Sequence, residues 1–323
     1  MPLKSDNTLR IADYLFESEE NKTMEIEIAR LPSGTVIHMQ VHVFHSGKPG
    51  PVVLLSGGLH GDEINGVEIV RRLVSDGHLE HLNAGSIVAI PIINVYGFIN
   101  FSREVPDGKD VNRSFPGSSE GSLAAIVAHT ITDQIIPHID FGIDFHTGGA
   151  SRWNYPQIRF DPKSADAKRL AEIFNAPIYF PSSVIDGSLR ATAAERNKVI
   201  LVYEGGESMR FDEFCIDEAI KGAVRVLRYH NMLGNQATAE EEDPSIALKN
   251  NNWIRAEASG LFKPLAKGGE KVTKHQKIGE INSPYGEYRI DVTSDVTGIL
   301  ISHNNQPLIH RGDALFHIGE LNQ

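Results

Sequence analysis

The chain has 323 residues, 41% of them hydrophobic, which allows one large domain or two of ordinary size and excludes global disorder. A formal charge of -11 argues against nucleic acid as a general partner but leaves room for a small anionic substrate, because a few local arginines can dominate a pocket. The single cysteine, Cys215, excludes an internal disulfide and a thiolate-rich zinc site.

From the N-terminus, Met1 to Asn7 show no charged start followed by an apolar run, and no later stretch approaches the ~20 apolar residues that cross a membrane. A cytoplasmic protein without a membrane partner is expected. Lys22 to Phe44 reads as a hairpin: Ile26 and Ile28 alternate with charged residues, and Pro32-Ser33-Gly34 makes the turn. Val52 to Ser56 is a short buried strand. Ile64, Val67, Val70 and Val74 then fall at helical spacing, and Ile87 to Ile93 is a further strand. Leu123, Ile126, Val127, Thr130, Ile131, Gln134 and Ile135 mark one face of a helix that Pro137 closes. A strand over Ile139 to Phe145, a helix around Leu170, Ile173 and Phe174, a strand over Val199 to Tyr203 and a helix from Ile216 to Leu227 complete this half. The alternation predicts an α/β fold, a mostly parallel or mixed sheet with helices on both faces.

Composition then changes. Gln236 to Pro244 contains Glu240-Glu241-Glu242-Asp243 and almost nothing apolar, which predicts a boundary. The expected division is a catalytic unit over 1–235, an acidic linker over 236–250 and a small β-domain over 251–323. In the last, Ala258 to Phe262 resembles Val296 to Leu300, and Lys277 to Glu280 resembles His317 to Glu320, so two similar halves of roughly forty residues suggest a duplication.

Candidate site residues sit where strands end. In Ser56-Gly57-Gly58-Leu59-His60-Gly61-Asp62-Glu63, His60 and Glu63 are spaced to face one metal ion between a strand and the first turn of a helix. His146 in Asp144-Phe145-His146-Thr147-Gly148-Gly149 ends another strand and is the third candidate. Asp144, two residues earlier, projects to the same strand face and could fix the tautomer of His60 or His146. His38, His42 and His45 in the hairpin and His78 and His81 in a polar loop lack that setting. Asn112 and Arg113 put an amide beside a guanidinium that can grip a carboxylate. Glu204 ends the Val199 to Tyr203 strand beside Gly205 and Gly206, where a carboxylate can serve as general base.

Together with Asn94 and the run Asp107-Gly108-Lys109-Asp110-Val111-Asn112-Arg113-Ser114-Phe115-Pro116-Gly117, these segments resemble, in order, the succinylglutamate desuccinylase/aspartoacylase family of zinc carboxypeptidase-like hydrolases. The resemblance spans roughly residues 50 to 210. It implies one Zn2+ per subunit on His60, Glu63 and His146, Glu204 as base and later proton donor, and Asn112 and Arg113 as a clamp on a substrate carboxylate. It further implies Arg103 as the group that polarises the scissile carbonyl, with Arg190, Arg196, Tyr285 and Tyr288 as candidate readers of the acyl group. The C-terminal part is similar to the barrel-sandwich fold of biotinyl and lipoyl carriers, but Gly279 to Thr297 contains no lysine, which argues against a carrier. The expected activity is hydrolysis of the amide bond of a small anionic N-acyl amino acid or related amine. A metallocarboxypeptidase acting on short peptides and a non-catalytic binding relative are the alternatives. The acyl group and the amine half stay open, as does a homo-oligomer.

Overall fold

A computed structural model of the protein describes residues 8–234 and 243–321. A short ribbon, β1 (Leu9–Ile11) against β2 (Tyr14–Phe16), precedes the expected hairpin of β3 (Glu20–Arg30) and β4 (Val36–His45). Along β3, Met24, Ile26 and Ile28 are buried while Glu25 and Glu27 are exposed, the period of two that a half-covered strand requires.

Next come β5 (Val52–Ser56), α1 (Ile64–Ser75) and β6 (Ser86–Ile90). The expected continuation of β6 to Ile93 fails for a definite reason. The amides of Ile93 and Asn94 bond to the carbonyls of Gly57 and Gly58, so the chain leaves the ladder after Ile90. There follow α2 (Val95–Asn100), a 3-10 turn at Val111–Arg113, α3 (Leu123–Gln134) and β7 (Phe141–Gly148). The remainder of this half is β8 (Arg152–Phe160), α4 (Ala165–Phe174), β9 (Ile178–Pro181), α5 (Leu189–Glu195), β10 (Val199–Glu207) and α6 (Glu213–Tyr229).

The strands order as β9-β8-β10-β7-β5-β6-β4-β3. The centre, β10-β7-β5-β6, is parallel and buried, whereas β8 runs against β10 but parallel to β9, and β4 and β3 run against their neighbours, so the sheet is mixed. Helices α1, α4 and α6 close one face through Ile69, Leu170, Phe174 and Ile216. Helices α3 and α5 close the other through Val127, Ile131, Leu189 and Ala193. No helix of the described residues is long and apolar enough to cross a membrane.

Of the acidic stretch expected as a linker, residues 236–242 lie outside the described residues. By Ile246 the chain is already strand β11 (Ile246–Arg255), whose start pairs with Ile178 and Tyr179 of β9. The boundary expected after residue 250 therefore falls inside a strand. The rest is β12 (Gly260–Pro264), β13 (Lys271–Val272), β14 (Lys277–Asn282), β15 (Arg289–Thr293), β16 (Gly298–Asn304), β17 (Leu308–Ile309) and β18 (Ala314–Leu321). Strands β11, β18, β16 and β13 extend the main sheet, and β15-β14-β12-β17 form a second. Phe262, Ile278, Ile281, Leu300, Leu315 and Phe316 fill one core drawn from both sheets. The sequence repeat corresponds to two like strand pairs, β12 with β14 and β16 with β18.

One packing contact sets where α1 begins. A Cβ at Gly66 in α1 would lie 2.2 Å from the Phe145 carbonyl oxygen of β7, and one at Gly57 would lie 2.4 Å from the Gly66 carbonyl oxygen. Only glycines let the helix approach β5 and β7 this closely. Alanine in a helix is usually favoured over glycine by about 1 kcal/mol. At Gly66 the sign should reverse: Gly66→Ala should lose about 1–3 kcal/mol by overpacking against backbone, seen as a lower urea midpoint.

Candidate metal centre and active site

The site lies at the carboxyl ends of the parallel strands, where an open α/β sheet leaves a crevice. His60 comes from the turn after β5, and Glu63 is the N-cap residue of α1. His146 is on β7, directly beside Glu204 of β10 in the strand register. His60 Nδ1 is 2.7 Å from Glu63 Oε1, His146 Nδ1 is 2.8 Å from Glu63 Oε2, and the two Nδ1 atoms are 3.2 Å apart. Among the described residues these three form the one group able to hold a metal ion. Two imidazole nitrogens this close can share one proton or one cation between them.

Outer carboxylates back both rings. Asp144 Oδ2 is 2.6 Å from His146 Nε2, and its Oδ1 accepts the Ser56 hydroxyl at 2.7 Å across the β5–β7 pair. Asp144 thus serves His146, and the partner of His60 is Asp110, whose Oδ1 lies 3.3 Å from Nε2. Both histidines present Nδ1 inward; His146 Nε2 is hydrogen-bonded to Asp144, the arrangement that orients a ligating imidazole, whereas His60 Nε2 lies at ion-pair distance from Asp110 without a hydrogen bond. Asp110 stands inside the Asp107 to Gly117 run, but spacing alone gave no hint that it would fold back onto His60.

The electrostatics follow from burial. Glu63 is 2% exposed. Burial pushes its carboxyl up, but the two imidazoles outweigh that and hold it well below the usual range. Burial pulls His146 down, yet Asp144 and Glu63 lift it well above the ordinary histidine value; His60 is raised likewise by Glu63 and Asp110 against its burial. The field at the cluster favours positive charge, and two imidazoles with one carboxylate are a zinc donor set with room for a further ligand. The residues fit a bound zinc ion.

Arg103 spans the rim. Its Nη1 is 3.2 Å from Glu63 Oε1, while Nε and Nη2 grip Asp110 Oδ2 at 3.1 and 2.9 Å. Asn94 caps α2 by accepting the Gly97 amide and donates to the Arg103 carbonyl at 3.3 Å, which ties the arginine's loop to β6. The carbonyl of Asp62 accepts the Met209 amide and so joins the ligand turn to the end of β10.

These groups open into a cavity of about 480 Å³ that Asn112, Arg113, Arg190 and Glu204 also line. Asn112 Oδ1 accepts the Leu189 amide at 3.0 Å, which leaves its NH2 group to face a ligand. Glu204 is held by β8: Asn154 donates to Oε2 at 2.5 Å and Arg159 Nη1 is 2.9 Å from Oε1. Arg190 is 8% exposed; Nη2 donates to the Ser183 carbonyl, and Nη1 has no partner among the described residues. Burial, then the Arg159 cation, pull its pKa below the usual guanidinium value. The other expected acyl readers do not line the cavity. Arg196 is exposed beyond α5, Tyr285 is 88% exposed, and the Tyr288 hydroxyl donates to the Ser259 carbonyl. The C-terminal residue that does reach it is Trp253 of β11, with the Arg152 guanidinium 5.9 Å from its ring. Sequence reasoning missed Trp253, Arg152, Asn154 and Arg159, three of them on β8. Of the other histidines, His42 and His45 bond to hydroxyls of Thr23 and Ser86 in the outer strands.

Residues 49–230 match the family model of the succinylglutamate desuccinylase/aspartoacylase catalytic domain. The chain belongs to this family. An N-alpha-acetyl-L-2,4-diaminobutyric acid deacetylase of Halomonas elongata is 27% identical over 287 residues, 84% of this chain and 83% of the relative. A succinylglutamate desuccinylase/aspartoacylase of Rhodobacter sphaeroides shares the fold at a TM-score of 0.83 and 24% identity, covering 94% of this chain and 96% of that one. The product-bound ectoine utilization protein EutE (DoeB) of Ruegeria pomeroyi does so at a TM-score of 0.83 and 23% identity, covering 99% and 97%. Both structural likenesses extend over the C-terminal β region of this family member as well as the catalytic sheet.

The Asp144–His146 contact yields a test. Asp144→Asn keeps the shape but loses the buried charge behind the imidazole, so zinc affinity should fall about 10- to 100-fold. Competition with a chromophoric chelator would measure the loss, and unchanged affinity would remove Asp144 from the metal's support.

Proposed function

We propose that the protein is a zinc-dependent deacylase that hydrolyses the amide bond of a small N-acyl amino acid, or a related N-acyl amine carrying a carboxylate. The observation that carries the reading is the buried His60–Glu63–His146 cluster opening into the same cavity as Glu204 and Arg113. Family membership and the deacetylase relative support it. A cavity of about 480 Å³ suits a small molecule rather than a folded protein substrate.

Zinc held by His60, Glu63 and His146 would polarise the scissile carbonyl and lower the pKa of a water towards ~7. In this reading Glu204 takes the proton of the attacking water and later returns it to the departing amine nitrogen, a role its place at the strand end beside His146 suits. Arg103, anchored by Asp110, donates to the carbonyl oxygen as negative charge builds there, a contribution of about 3 kcal/mol for one donor. The Asn112 amide and the Arg113 guanidinium grip the substrate carboxylate, and Arg190 offers a further donor to an anionic group. Trp253 and Arg152 narrow the mouth and keep long peptides out. We read 1–235 as the hydrolase unit and 251–323, entered through the first half of β11, as a barrel-sandwich-like domain, on the support of the antiparallel strands β13-β16-β18-β11 that extend the main sheet and of the separate sheet β15-β14-β12-β17, which together carry the repeat. The assigned location is the cytoplasm.

Kinetics on zinc-loaded protein, with a panel of N-acetyl and N-succinyl amino acids and diamines, test the reading. Glu204→Gln should lower kcat about 10²- to 10⁴-fold with a smaller change in KM. Wild-type turnover by this variant would overturn the assignment. Arg113→Ala removes a charge-assisted contact worth about 1.5–3 kcal/mol, so kcat/KM should fall about 10- to 100-fold, mostly through KM. Cleavage of free tripeptides with no action on acylated amino acids would replace the deacylase with a carboxypeptidase.

A further inference from the structure

Both oxygens of Glu204 are occupied by one strand. From β8, Asn154 Nδ2 donates to Oε2 at 2.5 Å and Arg159 Nη1 meets Oε1 at 2.9 Å. A carboxylate has about four lone-pair sites, so two donors on different oxygens fix its plane and still leave each oxygen able to meet a water. A base that must take a proton and later return it depends on such a fixed orientation. We propose that Asn154 and Arg159 are positioning residues that hold Glu204 for proton transfer, an inference that rests on the reading of Glu204 as the base.

The surroundings show that these two are themselves held. Strand β8 pairs with β10 on one side, through Gln157 opposite Glu204, and its first residues pair with β16. Asn154 is buried and stands opposite Ser302 of β16 in that register. Arg159 is braced by apolar and neutral rings rather than by a second carboxylate. Its guanidinium lies 5.8 Å from the centre of Phe180, and Phe180 meets His317 of β18 edge-on at 6.0 Å. His317 in turn stacks on Trp253 at 4.4 Å. Burial, and then the Arg159 cation, push His317 down to about 3, so it stays neutral beside the guanidinium. Glu204 is the only carboxylate in a salt bridge with Arg159 among the described residues. The C-terminal strands β16 and β18 thus reach the base through β8, although none of their residues lines the cavity.

The rival role for Arg159, direct capture of a substrate anion, makes a different prediction. A substrate reader acts on KM, whereas a residue acting through the base acts on kcat and loses its effect once the base is gone. The experiment is steady-state kinetics on zinc-loaded, full-length wild type, Glu204→Gln, Asn154→Ala, Arg159→Met and Arg159→Lys. Zinc content and melting temperature are recorded for each. The single variants Asn154→Ala and Arg159→Met should lower kcat about 10-fold or more with KM within about threefold. Arg159→Lys, which keeps the charge but not the fork, should recover part of the loss. Added to Glu204→Gln, either change should cost nothing further. If Glu204→Gln keeps wild-type turnover, the reading of the base fails. If Glu204→Gln collapses but the β8 variants keep wild-type kcat, raise KM alone, or cost the same factor in the Glu204→Gln background, the positioning role is overturned and the base stands.

Discussion

A carboxylate almost fully withdrawn from water must be compensated, and Glu63 is that carboxylate here. Its two oxygens meet the imidazoles of His60 and His146, the Arg103 guanidinium and the Thr147 amide. The four partners arrive from three segments: His60 from the turn after β5, His146 and Thr147 from the end of β7, and Arg103 from the loop after α2. Removing Glu63 would leave several buried donors facing one another, so the ligand cluster is also a point where the chain's segments are tied together. A buried cluster of this kind is costly unless its charges are compensated, and Asp144, backed by Ser56, and Asp110 stand beside the two imidazoles.

The backbone makes that convergence available. Parallel strands β5, β7 and β10 end side by side, and their residues Ser56, Asp144, His146 and Glu204 fall in adjacent register positions. Helix α1 can bring Glu63 to the same point because Gly57 and Gly66 allow it to lie against the backbone of β5 and β7. His60, Glu63 and His146 are therefore set by close-packed main chain, while Asn112 and Arg113 sit on a 3-10 turn held by the Asp110 carboxylate, which accepts the Asn112 amide, and by the Leu189 amide, which donates to Asn112 Oδ1.

The C-terminal region continues the main sheet. Its strands β11 and β16 pair with β9 and β8, and a small apolar cluster of Ile178, Phe180, Leu248, Ile299 and Ile301 seals the join. The stack of Arg152, Trp253 and His317 lies at this join and reaches the cavity mouth.

Where a residue's role follows from neighbours close in the chain, the sequence was enough. Alternation along β3, the apolar runs of β5 and β10 and the helical spacing of α6 are local, and they appear where expected. His60, Glu63, His146 and Glu204 could be singled out because they stand at the end of a recognisable strand or in the turn that leads from β5 into α1, and strand ends of a parallel sheet share one edge. Strand β8 was hidden because Pro156 interrupts a polar and aromatic run; it falls in the gap between the Gln157 and Asn154 pairings with β10, where the register shifts. Missing β8 concealed Asn154, Arg159 and Arg152. The pairing of Asp110 with His60 and the arrival of Trp253 instead of Tyr285 or Tyr288 depend on contacts between residues tens to hundreds of positions apart. No periodicity encodes such contacts, because they follow from how the sheet and its extension pack once all the strands are in place.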